Sequence, residues 1–288
     1  MRKRRLLIFL IILLIIVITC AVILIDSNTR MVTTEYELFY DNLPEAFDGY
    51  RIVVLSDVHA ARYGENNSHL VESVKNAQPD VIVITGDLID RFQTIKPVAT
   101  QLEIADTLVG QLTPIAHVYY ITGNHEWDSG VIKELFAILE SHGATILRNE
   151  YTLIEPAGAD GTAIILAGID DPNGPANMIK PQNLVENIFA AEGECFTIVL
   201  VHRNHHLPLF SELGVDLVLC GHAHGGIVRL PFTDGLIGPR IELFPTYTSG
   251  VYSMGGTNMV VSRGLGNHLG WTRFLNNPQL VVVELRRA

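Results

Sequence analysis

Seven side chains of metal-ligand type, Asp57, His59, Asp87, Asn124, His202, His222 and His224, fall in five short segments that each follow an apolar run. The segments read Leu55-Ser56-Asp57-Val58-His59, Thr85-Gly86-Asp87, Gly123-Asn124-His125-Glu126, Leu200-Val201-His202 and Gly221-His222-Ala223-His224-Gly225. A lone Asp after a strand is most often a turn or cap residue, and a lone His there is no more specific. Seven such residues at five successive strand ends point instead to one metal site assembled from the length of a domain. Imidazole nitrogens mixed with carboxylate and amide oxygens suit Mn, Fe or Zn better than Ca or Mg, which take oxygen ligands.

The elements that must position these residues are legible in the same pattern. The apolar runs 52–55, 81–84, 118–121, 196–201 and 217–219 read as buried strands, and sites in layered α/β folds gather at the carboxyl ends of strands. Helical periodicity is expected over 68–77, 96–112, 129–142 and 181–191, alternating with those strands. After Gly225 the chain turns to short runs with Gly and Pro, which read as hairpins completing a second sheet. Asp57 and His59 are two apart, as are His222 and His224. A locally extended chain sends both members of each pair the same way and turns Val58 and Ala223 into packing. Gly86, Gly123 and Gly221 precede ligands, where a small residue lets the backbone crowd the site.

In this order the five blocks resemble the D-x-H, G-D, G-N-H-[DE], H and G-H-x-H series of the calcineurin-like metallophosphoesterase superfamily. The tail, Thr248-Ser249-Gly250-Val251-Tyr252 through Val261-Ser262-Arg263-Gly264-Leu265-Gly266, is similar to its membrane-anchored YkuE/YaeI-like phosphodiesterase branch. The resemblance implies a four-layer α/β/β/α sandwich, two mixed sheets flanked by helices. It implies two divalent cations, one on Asp57, His59, Asp87 and His224, the other on Asp87, Asn124, His202 and His222, with Asp87 bridging. Such a pair, about 3.5–4 Å apart, activates water and neutralises phosphoryl charge. His125 is implied as the catalytic histidine, assisting the leaving oxygen or the developing charge. The plain alternative for His125 is an imidazole satisfied by nearby Asp128. Asp170 and Asp171 either reach the site or cap a turn, and Arg263 either orients phosphate or pins a loop. Ile227 and Ala223 stand where branch members commonly carry glutamine and threonine; neither position is a ligand.

The implied activity is hydrolysis of a phosphodiester or pyrophosphate, in a phosphorylated small molecule or a membrane- or lipid-linked substrate. A phosphomonoesterase, a protein phosphatase of the same fold and a non-catalytic metal-binding scaffold are the alternatives. Trp127-Asp128 after the third block departs from the Arg-bearing phosphatase pattern, and a scaffold is expected to lack ligands that are all present here. Leu230, Pro231, Phe232, Leu236, Ile237 and Phe244 either fill the base of the hairpin layer or line an apolar groove for a lipid chain.

Residues 1–5 form a basic stub, 6–25 an uninterrupted apolar run of spanning length, 26–48 a linker and first strand region, and 49–288 the enzymatic domain. The basic stub is expected to stay in the cytoplasm, which gives a single-pass cell-membrane anchor with the domain on the extracytoplasmic side. A cleaved signal peptide is disfavoured by the length of the run and the lack of an A-x-A site. Four of the 20 Lys and Arg lie at positions 2–5, so the remainder sets 16 basic against 31 acidic residues. An acidic domain without a basic stripe is not expected to bind nucleic acid. Three cysteines, Cys20, Cys195 and Cys220, make no disulfide framework and read as buried thiols.

Overall fold

A computed structural model describes residues 2–91, 96–156, 158, 161–231, 233–238, 241–267 and 272–288. Twelve strands are present among them: β1 (Val32–Tyr40), β2 (Arg51–Leu55), β3 (Val81–Ile84), β4 (His117–Tyr120), β5 (Thr145–Ile146), β6 (Glu150–Ile154), β7 (Ile164–Ile169), β8 (Thr197–Val201), β9 (Leu217–Cys220), β10 (Gly250–Met254), β11 (Thr257–Val261) and β12 (Gln279–Arg287). The helices are α1 (Arg2–Thr29), α2 (Ser68–Asn76), α3 (Val98–Leu112), α4 (Asn124–Ser129), α5 (Ile132–Ser141), α6 (Pro181–Glu192) and α7 (Leu207–Leu213). One sheet has the order β1-β12-β2-β3-β4-β5 and the other β10-β11-β9-β8-β7-β6. Both are mixed: β12 runs antiparallel to β2, and β6 and β10 run antiparallel to their neighbours.

Side chains alternate across each strand and thereby build the layers. On β2, Ile52 and Val54 face the second sheet, together with Ile198, Leu200, Leu217 and Leu219. Val53 and Leu55 face the other way, into α2, α3 and α5 through Leu70, Val74, Leu108 and Leu139. The outer face of the second sheet is covered by α6 and α7 through Val185, Ile188 and Phe210. The result is the expected α/β/β/α sandwich. The central strands are buried on both faces, which is why they read as continuous apolar runs.

Three features depart from the sequence reading. The helix expected over 129–142 forms as α5 but starts at Ile132, because a separate short helix, α4, precedes it and ends at Gly130 in a left-handed conformation (φ 77°). Helix α7 was not among the expected helices. The chain after Gly225 contributes the β10–β11 hairpin to the second sheet, but β12 crosses back and inserts between β1 and β2 of the first. The cysteines also differ: all three are free, Cys220 is buried, and Cys20 and Cys195 are exposed. Cys195 sits on the approach to β8, outside the strand core. Helix α1, preceding β1 by two residues, is long and apolar enough to cross a membrane.

Candidate metal centre

The strand ends of both sheets converge on one site. Asp57 and His59 follow β2, Asp87 follows β3, Asn124 and His125 open α4 after β4, His202 follows β8, and His222 and His224 follow β9. Asp57, His59, Asp87, His125, His202 and His224 are buried; Asn124 and His222 are half-buried. The expected extended chain at the paired positions is not what forms. Asp57, His59, Asp87, His222 and His224 all adopt left-handed backbone, with φ from 45° to 66°. Non-glycine residues rarely hold this conformation, and such strain clusters at functional sites. Each pair therefore converges through a tight loop, while Val58 and Ala223 do pack inward.

The loops are crowded enough to require glycine. A Cβ on Gly221 would collide with the side chains of Ser56 and Asp57, and one on Gly123 with the Asp87 carboxylate. Glu126, fully buried, shapes the Asp87 loop from below. It accepts backbone N–H bonds from Asp87 (3.0 Å), Leu88 (2.7 Å), Ile89 (3.3 Å) and Gly123 (2.7 Å). Burial and the Asp87 charge push its carboxyl up to about 7.

Donor atoms group into trios whose members lie within 4.8 Å of one another: Asp57, His59 and His224; Asp87, His202 and His222; and His59, Asp90 and His125. His59 Nε2 and His224 Nε2 approach to 3.3 Å, and His224 Nε2 lies 3.4 Å from Asp57 Oδ1. His202 Nε2 lies 3.2 Å from both Asp87 Oδ2 and His222 Nδ1. His202 Nδ1 donates to the Thr85 carbonyl at 2.8 Å, which fixes the ring with Nε2 toward the site, as outer partners of ligating histidines do.

The donor set fits divalent cations. The side-chain oxygen of Asn124 is buried and accepts no hydrogen bond among the described residues, a costly arrangement that a cation relieves. Burial drives the imidazoles of His59 and His222 down to about 3 and lowers His224 strongly, the neighbouring Arg273 adding to the effect on His224. They are thus neutral near pH 7, as ligands must be. His202 differs. Burial opposes its charge, but the Asp87 carboxylate outweighs burial and raises it to about 10. Asp87 is held well below the usual carboxylate range: burial acts against this, and the surrounding His202, His125 and His59 prevail.

His125 has a partner that sequence reasoning missed. Its Nδ1 lies 2.6 Å from Asp90 Oδ1, not beside Asp128, which instead accepts from Asn173. Asp90 stands three residues after Asp87 in the same turn, and that spacing was the available signal. Burial works to lower His125, but Asp87 and Asp90 together raise it above its ordinary value. Asp170 accepts from Thr122 and Arg148, and Asp171 holds Arg203 through two bonds of 2.7 and 2.9 Å, so both brace loops. Arg263 packs half-buried beside Gly225. Of the apolar residues after His224, Leu236 and Ile237 are half-buried, whereas Leu230 and Phe244 are exposed; Phe232 lies outside the described residues.

Two stacked mixed sheets carrying a carboxylate–imidazole centre at their strand ends define a metal-dependent phosphoesterase. The calcineurin-like phosphoesterase family model matches residues 50–226, and the chain belongs to that family. It is 32% identical over 262 residues to the uncharacterized metallophosphoesterase YkuE of Bacillus subtilis (strain 168), covering 88% of this chain and 85% of that protein. It is 29% identical over 264 residues to the transmembrane protein with metallophosphoesterase domain of Danio rerio, covering 88% of this chain and 57% of that one. A Bos taurus protein of the same name is 30% identical over 253 residues, 82% of this chain and 53% of that one. The chain thus spans little more than half of these two vertebrate relatives.

Proposed function

We propose that this chain is a membrane-anchored hydrolase of phosphodiester or pyrophosphate bonds, working through a dinuclear centre. The carrying observation is Asp87: its Oδ2 lies 3.2 Å from His202 Nε2 and 3.8 Å from both His59 Nε2 and His125 Nε2. One carboxylate thus stands between the two ligand trios and faces the catalytic candidate. Asp57, His59, Asp87 and His224 would hold one cation, and Asp87, Asn124, His202 and His222 the other. When bound, such a pair supplies Lewis acidity toward phosphoryl oxygens and lowers the pKa of water.

The remaining work falls to the chain's own groups. His125 Nδ1 pairs with Asp90 at 2.6 Å, which aims Nε2 into the space shared with Asp87. Two carboxylates favour its imidazolium, so Nε2 carries a proton for the leaving oxygen. That proton matters most for an alkoxide leaving group, as in a diester. Glu126 keeps Asp87 in register by binding the N–H groups that follow it.

For the substrate, geography and surface point together. Residues 6–25 within α1 act as the anchor, 1–5 as the cytoplasmic stub and 26–48 as the linker, which places the 49–288 domain outside the cell membrane. A cavity of about 410 Å³ beside His222 is lined by Leu243 and Phe244, 70% and 73% exposed, along with Arg203 and Asn204. Exposed apolar side chains at the rim of the centre suit a phosphate attached to a lipid, in a cavity whose polar lining includes Glu242 and the Asp171-paired Arg203. The test is hydrolysis by the full-length chain in detergent micelles with Mn²⁺, using diesters, monoesters and lipid pyrophosphates. Turnover of diesters or lipid pyrophosphates above monoesters supports the reading. Cleavage of monoesters alone makes it a phosphomonoesterase, and no turnover makes it a scaffold.

A further inference from the structure

The last turn of α1 is bonded to the segment that braces one half of the metal centre. Asn28 grips the backbone of Arg273 from both sides: its Oδ1 accepts from the Arg273 N–H (3.0 Å) and its Nδ2 donates to the Arg273 carbonyl (2.9 Å). The same Oδ1 accepts from Asn267 Nδ2 at 2.9 Å. Asn277 Nδ2 reaches the carbonyls of Asp26 (2.9 Å) and Arg30 (3.1 Å) and the Asp26 carboxylate (3.0 Å). A helix that serves only as a tether has no need of this set of bonds.

From that segment, contacts run to every member of the first ligand trio. Arg273 is 1% exposed, and its Nη1 has no hydrogen-bond partner among the described residues. Its Nη2 donates to the carbonyls of Gly266 (2.7 Å) and Gly264 (3.3 Å) and lies 3.4 Å from His224 Nδ1. The 264–266 loop it secures packs onto Asp57 and His59: Gly266 N–H donates to the Asp57 carbonyl at 2.6 Å, and Leu265 N–H to that of Ser56 at 3.0 Å. A Cβ on Gly264 would strike Asp57, and one on Gly266 would strike Val58 and His59. Asn276 Nδ2 donates to the carbonyls of His224 (2.7 Å) and Ile227 (3.1 Å), and so holds the second strained loop. Among the described residues, Asp87, His202 and His222 make no hydrogen bond to Asn267 or to residues 272–277. Their braces are Thr85, Glu126 and Asp57.

We infer that Asn28 and Arg273 are positioning residues through which the membrane anchor sets the geometry of the Asp57–His59–His224 half of the centre. The anchor is then part of the enzyme's working structure, and a chain separated from it loses affinity for one cation of two. This inference rests on the dinuclear reading proposed above. Its function is selective, since a general loss of packing weakens both halves together.

The test is Mn²⁺ titration of the full-length chain in detergent micelles, wild type against Asn28→Ala, with melting curves of the metal-free proteins. Asn28→Ala removes the grip on Arg273 while leaving the buried guanidinium in place. Loss of a direct outer partner of a ligand typically weakens metal binding about 10–100-fold, which is the ceiling for Asn28→Ala, acting through Arg273. The expected result is a loss up to that ceiling at one of two sites, the other keeping its wild-type constant, with a single cooperative melting transition in both proteins. Arg273→Lys keeps the charge but cannot span both carbonyls, and is expected to weaken the same site. Two unchanged sites in Asn28→Ala, or two sites weakened alike, overturn the inference while leaving the dinuclear reading intact. A wild-type chain that takes up no Mn²⁺ overturns both.

Discussion

Asp87 and His202 come from different sheets and meet at 3.2 Å across the seam between them. Each shifts the other's proton affinity in the direction of an ion pair, the carboxylate down and the imidazole up to about 10. Without metal, the His202 proton therefore occupies the place between them that a cation would take. Metal uptake at pH 7 is expected to release protons. Mn²⁺ titration of the metal-free protein in weak buffer, followed by pH, measures this directly; uptake without proton release contradicts the assignment of His202.

His125→Ala is expected to keep its metal and lose turnover by about 10²–10⁴-fold, the usual weight of a general acid. The loss should shrink for substrates with good leaving groups, which need little protonation. Equal losses for nitrophenyl and alkyl esters leave charge stabilisation as the role of this residue.

Asp90→Asn removes one of the two carboxylates that raise His125. The active imidazolium is lost as pH rises through its pKa, so lowering that pKa moves the alkaline fall in kcat to lower pH. Profiles of kcat against pH for wild type and Asp90→Asn check the sign. An unmoved alkaline limb means that Asp90 does not act through His125.

The metal-free protein should lose stability on mild acidification. His59 and His222 have folded values near 3, below the ordinary 6.5, and His224 is depressed as well. Their contribution is present above about pH 6.5 and declines as pH falls toward the folded values. His202, raised in the fold, contributes fully below 6.5 and does not offset this decline, while Glu126, raised to about 7, opposes it as one group against three. Melting temperatures in chelator between pH 7 and 4.5 are expected to fall steadily. A flat curve contradicts burial of neutral imidazoles.

Much of the architecture was legible because the apolar runs ended where the ligand types began. Burial of β2, β3, β8 and β9 on both faces writes their boundaries directly into the sequence. What escaped is non-local or conformational. The left-handed turns at Asp57, His59, His222 and His224 leave no trace in a two-residue spacing, which an extended chain explains equally well. Arg273 lies 49 positions beyond His224 and meets it only because β12 crosses back to the first sheet. Asp90 was closer to hand, but its role depends on the turn that Glu126 imposes on Asp87. Helix α7, only seven residues long, is too short for an apolar period to mark it.

The most direct test of the central claim is metal content of the full-length chain and of Asp87→Asn, loaded with Mn²⁺, desalted and measured by elemental analysis. Asp87 stands between both ligand trios, so its loss should weaken both sites. The expected result is two metal ions per wild-type chain, and less than one in a folded Asp87→Asn variant that no longer hydrolyses diesters. Two ions retained in Asp87→Asn with wild-type turnover would contradict a dinuclear centre bridged by this carboxylate.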